Sequence, residues 1–137
     1  MTAIEYAKSL LHVPYIWGGK SPLIGLDCSG FVCEVLKSVG AVGNHEELSA
    51  QGLFDRFNGK GINYMVHLAF FGKDLKSIDH VGILDIANNQ IDSRTSLIEA
   101  AGGDHTTITR EIAEKIDARV KVRPVGYRKD LVASIVI

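Results

Sequence analysis

The strongest local instruction in this sequence lies between Leu26 and Gly40. Cys28, Phe31, Val32, Val35, Leu36 and Val39 recur at i, i+3, i+4, i+7, i+8 and i+11, an apolar stripe with the period of a helix. Asp27 stands where an N-cap is needed, because its carboxylate can accept backbone N–H groups that a first turn leaves unpaired. Gly40 supplies a left-handed stop. The pattern predicts a helix from about 28 to 39 with one buried face and Cys28 on its first turn. A helix start favours negative charge, so this position biases the thiol towards thiolate and offers free N–H groups to an oxyanion. The alternative for Cys28 is a small buried hydrophobe, the ordinary role of an unpaired cysteine. Cys33 has no such end position and reads as packing.

A chain of 137 residues, 46% of them hydrophobic, suits one domain over 1–137. Such a domain buries roughly two-thirds of its unfolded surface. Fifteen basic and sixteen acidic residues are mixed along the chain for a formal net charge of −1, which leaves no electrostatic footprint for nucleic acid or an anionic membrane. The two cysteines are five residues apart on one expected helix and form no CxxC motif. Neither a structural disulfide nor a zinc site is expected, and no metal or cofactor enters the reading. Met1-Thr2-Ala3-Ile4-Glu5 lacks the basic and apolar regions of a signal peptide. No apolar run approaches the roughly 18 residues of a membrane span.

Thr2 and Glu5 make a capping box for a helix from about 3 to 12, ended by Pro14. Pro14-Tyr15-Ile16-Trp17-Gly18-Gly19 then reads as an extended aromatic segment, and Lys20 to Leu26 as a loop. Tyr15 and Trp17 suit the wall of a cleft, with ordinary core as the alternative. Beyond Gly40, a helix is expected from His45 to about Phe57 with Leu48, Leu53, Phe54 and Phe57 inward. Strands are expected over 64–71, 80–84, 96–101 and 119–127, with a turn at Asn88-Asn89-Gln90. Thr109 caps a short helix to about Asp117, and 131–137 is a last strand or a docked tail. Helices first and an antiparallel-looking sheet after them make the fold class α+β.

A cysteine nucleophile needs a histidine to take and return a proton, and a third polar group to orient the ring. Of five histidines, His12 ends the first helix, His45 opens another, and His67 sits in an apolar strand as a hydrogen-bonded core residue. His80 opens a strand behind Ser77-Ile78-Asp79, from which its ring can project into a cleft. Glu99 lies mid-strand among apolar residues, where an unpaired carboxylate is costly, so it needs a partner. If the strands at 80–84 and 96–101 pair through the turn near 88–90, that partner is His80. His105 competes with Glu99 for the third position.

Four segments in order carry a family resemblance: Pro14-Tyr15-Ile16-Trp17-Gly18-Gly19, Leu26-Asp27-Cys28-Ser29-Gly30-Phe31-Val32, Asp79-His80-Val81-Gly82-Ile83 and Ile98-Glu99-Ala100. They resemble the NlpC/P60 family of papain-like cysteine peptidases, and Val122-Arg123-Pro124 resembles its closing strand. The resemblance implies a papain-like α+β core, with N-terminal helices packed on a mostly antiparallel sheet. It implies hydrolysis of amide bonds in peptidoglycan stem peptides, usually the bond between D-γ-glutamyl and the diamino acid. Cys28 maps onto the nucleophile, His80 onto the base and Glu99 onto the orienting residue. Tyr15, Asp27 and Ser29 map onto the substrate site, with Trp17 beside them. Leu23 and Ile24 replace small residues common before the cysteine, and Val66-His67 replaces a frequent Gly-Asp. An acidic third residue holds an imidazolium more tightly than a neutral one, which extends activity to higher pH.

With no export signal or added wall-binding domain read in a short, Met-started chain, the expected setting is a phage or prophage enzyme delivered to the wall, with phage tail or lysis proteins as partners. A cytoplasmic recycling enzyme and a domain cut from a longer secreted protein are the other settings. The rival functions are a papain-like acyltransferase and a catalytically silent phage structural module.

Overall fold

The structure is a computed structural model and describes residues 1–86 and 90–137. Its organising helix, α2 (Cys28–Ser38), begins where the sequence says it must: Asp27 caps it by accepting the Gly30 N–H at 2.7 Å. Gly40, at φ +78°, turns the chain away after the last turn. Phe31, Val32, Val35 and Leu36 are fully buried, so the stripe needs an apolar partner surface. That surface is a five-stranded antiparallel sheet in the order β6-β5-β4-β3-β7. Its strands are β3 (His67–Gly72), β4 (Ile78–Asp85), β5 (Ser96–Ala101), β6 (Arg119–Pro124) and β7 (Leu131–Val136). A two-residue hairpin, β1 (Lys20–Ser21) with β2 (Gly25–Leu26), precedes α2. The remaining helices are α1 (Ala3–Ser9), α3 (Ala50–Phe57) and α4 (Arg110–Lys115).

The main core lies between the helices and one sheet face, joining Ala7, Phe31, Leu36 and Leu53 to Leu68, Phe70, Val81, Ile83 and Ile98. On the opposite face Ala69, Phe71, Leu84, Leu97 and Val125 form a second cluster. The inner strands are therefore covered on both faces and read as near-continuous apolar runs rather than alternating ones. Among the described residues no helix is long and apolar enough to cross a membrane.

The α+β class stands, while several boundaries move for identifiable reasons. The first helix stops at Ser9 because the chain from His12 onward is used as an edge: His12 N–H bonds to Val120 O, Val120 N–H to Val13 O, and Tyr15 N–H to Ala118 O. His12 takes φ +76° to make that exit. The helix expected from His45 begins only at Ala50, capped by Ser49. Glu46 instead closes the preceding loop onto the Gly43 N–H at 2.9 Å and pairs with Arg56. The strand expected to reach Tyr127 ends at Pro124 and passes into a 3₁₀ turn, Val125–Tyr127. The strand expected from Tyr64 starts at His67, and the last segment is a strand, β7. Asn88 and Asn89, read as part of a turn, lie outside the described residues.

Gly30, in the first turn of α2, faces the Gly19 carbonyl so closely that an added methyl would be driven into that oxygen. Gly30→Ala is therefore expected to destabilise the protein by about 1–3 kcal/mol in urea unfolding, although alanine is the better helix former. A variant as stable as the parent would contradict this packing.

Candidate active site

Cys28 opens α2, and α2 lies against β4 and β5. Its thiol points at the Asp79 carbonyl, 3.9 Å away. The backbone N–H groups of Val81, Ser29 and Cys28 itself also bear on the sulfur. The sulfur is thus set against the two residues that flank His80. Burial pushes the thiol up to about 11, the Asp27 carboxylate adds to the rise, and the three N–H groups offset only part of it. This corrects the expectation of a thiolate-biased cysteine. The first-turn N–H groups act in the expected direction, but desolvation and the capping carboxylate outweigh them. Cys28 needs a base to ionise.

Asp27 is tied at both oxygens: Oδ1 accepts from Gly30 N–H at 2.7 Å and from Ser29 Oγ at 3.4 Å, and Oδ2 accepts from Gly18 N–H at 3.2 Å. The carboxylate therefore fastens the aromatic segment to the helix that carries Cys28. Asp27 and Ser29 also line a cleft with Lys20, Cys33, Lys37 and Glu47. Tyr15 is buried with its ring packed on Gly103. Its phenol is raised above the ordinary range by burial first, then by Cys28, Asp27 and Asp104. Trp17 is 55% exposed, which removes the core alternative for it. Its backbone N–H bonds to Thr107 O at 2.8 Å, and its ring meets His105 edge-on at 6.3 Å.

The base candidate is positioned by strand register. Ile83 pairs with Ile98, so Glu99 comes opposite Gly82 and lies diagonally from His80 on the same face. Gly82 presents no side chain, and a Cβ there would crowd Leu97 and the Glu99 Cβ. Through that gap Glu99 Oε1 meets His80 Nε2 at 2.6 Å. His80 is 7% exposed, Glu99 is fully buried, and the imidazole packs on Phe71 at 5.4 Å. The other ring nitrogen, Nδ1, is not engaged by Glu99.

Glu99 Oε2 accepts from Arg123 Nε at 3.0 Å and from Tyr127 Oη at 2.6 Å, and Arg123 Nη2 lies 2.9 Å from it. Arg123 Nη2 also donates to Tyr127 Oη at 2.6 Å, and the guanidinium stacks 3.9 Å over the tyrosine ring. Burial alone would raise the Glu99 carboxyl, but His80, Tyr127 and Arg123 together hold it below the usual carboxylate range. Behind them Arg128 packs 4.8 Å over Phe71 and binds Asp130 at 2.8 and 2.7 Å.

His105 stays with Trp17, and Glu99 is the group that meets His80. Among the other histidines, His45 lies in a loop, His12 Nδ1 meets Arg119 at 3.2 Å, and His67 is half-buried in a groove with Met65 and Ile135. Burial lowers His67 below its ordinary value. Arg123 and Tyr127 were not singled out from the sequence. The available signal was a cation and a phenol four residues apart on the strand expected over 119–127.

Residues 12–120 match the NlpC/P60 family model. The chain belongs to the NlpC/P60 family. Solved structures of similar fold include the NlpC/p60 domain of the peptidoglycan hydrolase SagA, at 22% identity and TM-score 0.58 over 96% of each chain. NlpC1 from Trichomonas vaginalis matches at 18% identity and TM-score 0.59, over 94% of this chain and 40% of that one. An NlpC/P60 family protein from Bacillus cereus matches at 22% identity and TM-score 0.53, over 96% of this chain and 38% of that one. At these identities the likeness is one of fold, and the chain spans well under half the length of the latter two.

Two measurements follow from the NlpC/P60 site. Asp27→Asn keeps an N-cap but removes the negative charge beside Cys28. The thiol should then ionise at lower pH and alkylate severalfold faster with iodoacetamide at pH 8. An unchanged rate would show that the charge does not reach the sulfur. Because the Glu99 carboxyl is held low, its stabilising contribution is complete above its unfolded value of about 4.3 and is lost as the pH falls through the lower folded value. Glu99→Gln is expected to cost about 2 kcal/mol at pH 7. Urea unfolding at successively lower pH should show the gap closing.

Proposed function

We propose that this NlpC/P60 protein is a cysteine peptidase that hydrolyses the amide bond between D-γ-glutamyl and the diamino acid of a peptidoglycan stem peptide. The observation that carries this reading is the buried His80–Glu99 pair at 2.6 Å, its histidine set in β4 between the two residues whose backbone groups bear on Cys28 Sγ. Family membership supports the reaction class, and the description of SagA as a peptidoglycan hydrolase supports the substrate class.

In the proposed mechanism His80 Nδ1 takes the Cys28 proton, and the thiolate attacks the scissile carbonyl. The Cys28 N–H at the free end of α2 helps to hold the oxyanion. His80 then protonates the leaving amine as the tetrahedral intermediate collapses to a thioester. With the amine gone, His80 draws a proton from water, which attacks the thioester and releases the acid and the thiol. Glu99 keeps the ring oriented throughout. Tyr15, Asp27 and Ser29 line the substrate side, where the Asp27 carboxylate suits a peptide's free amine. Exposed Trp17 supplies an apolar face beside them.

The test is incubation of the wild type and Cys28→Ala with defined tri- and tetrapeptide stems carrying diaminopimelate or lysine, read by mass spectrometry. Cleavage at one bond, lowered at least about a thousandfold by the substitution, is expected. Hydrolysis by Cys28→Ala at the parental rate would overturn the mechanism. No cleavage by the wild type, despite rapid alkylation of Cys28, would turn the reading towards acyl transfer.

A further inference from the structure

Glu99 uses its two oxygens for different purposes. Among the described residues Oε1 meets only the imidazole, whereas Oε2 is taken by a guanidinium and a phenol that are themselves bonded and stacked together. Packing alone does not require this arrangement. Arg123 is on an edge strand with a third of its side chain in water, and it could have been solvated. Lys121, directly opposite Glu99 in register, is turned away to Asp117. The charged and titratable groups facing Glu99 are therefore His80 from β4, Arg123 from β6 and Tyr127 from the 3₁₀ turn. Asp130 and Arg128 stand behind, paired to each other.

We propose that Arg123 and Tyr127 are positioning residues for the base: by holding Glu99 Oε2 they leave Oε1 as the single acceptor for His80 Nε2–H, which fixes the imidazole with its Nδ1 lone pair free for the thiol. This rests on the reading of His80 as the base. A carboxylate left to itself beside an imidazole draws a second proton onto the ring. Arg123 and Tyr127 draw the Glu99 charge onto Oε2, so Oε1 is left to accept from Nε2 and the Nδ1 lone pair faces away from the carboxylate. The catalytic proton moves only from Cys28 Sγ to His80 Nδ1, breaking S–H and forming N–H as substrate is attacked. A thiol whose own surroundings favour S–H calls for such an oriented acceptor.

The experiment uses the full chain labelled with nitrogen-15 and reads the His80 ring nitrogens at neutral pH, together with the iodoacetamide alkylation rate of Cys28. The wild type should show one neutral tautomer, protonated at Nε2. Arg123→Gln should move the ring towards imidazolium and speed alkylation at pH 7 by about tenfold. Arg123→Lys should restore most of the parental signals, and Tyr127→Phe should give a smaller change in the same direction. A merely structural role would lower stability without moving these readouts. Parental ring signals and alkylation in both Arg123→Gln and Tyr127→Phe would overturn the proposal. If Arg123→Gln does not fold, unchanged signals in Tyr127→Phe alone overturn it. Neither readout needs substrate, so a wild type that cleaves no stem peptide would sink the peptidase reading and leave this outcome standing.

Discussion

A carboxylate sealed from water is the constraint on which much of this structure depends. Leaving Glu99 buried without partners would cost several kcal/mol, a large fraction of the stability of a domain of this size. Its partners come from three other elements: the imidazole from β4, the guanidinium from β6 and the phenol from the turn that Pro124 introduces. Strand register, the missing side chain at Gly82 and the early end of β6 are thus linked through one side chain. A one-residue slip of β5 would turn Glu99 into the main core and strand all three partners.

The start of α2 shows the opposite economy, in which one group serves two competing ends. Asp27 is required to start α2 and to hold Gly18 against it, yet its charge lies beside the sulfur and discourages ionisation. Helix-end polarity, the usual argument for a reactive cysteine, is overruled by burial and by the cap that creates the helix end. In the proposed mechanism the chemistry is therefore delegated to the imidazole, and the orientation of that ring becomes the controlled quantity.

What the sequence discloses follows the range of the forces involved. The α2 stripe, its Asp27 cap and the Gly40 stop are local, and all were readable. Glu99 was legible as a residue in need of a partner because burying a charge has a known cost, and His80 followed once two neighbouring strands were assumed to pair. Arg123 and Tyr127 were not, since their approach depends on β6 register and a turn that alternation along 119–127 does not reveal. Ser49 was passed over as a cap because Glu46 and Glu47 look helical until the loop that Glu46 closes is known. The exposure of Trp17 and the ionisation of Cys28 depend on surroundings that only tertiary packing defines.

The β1–β2 hairpin has a further consequence. Its base is fixed, with Gly25 wedged against Ile16 and Leu26 fully buried, whereas Leu23 and Ile24 at its tip are largely in solvent. The tip stands only a few residues before Cys28, yet it carries almost none of the weight of the fold. Sequence can drift, lengthen or change character there at little thermodynamic penalty. The hairpin is thus where a lineage can vary in length and character while inheriting the frame beneath it unchanged.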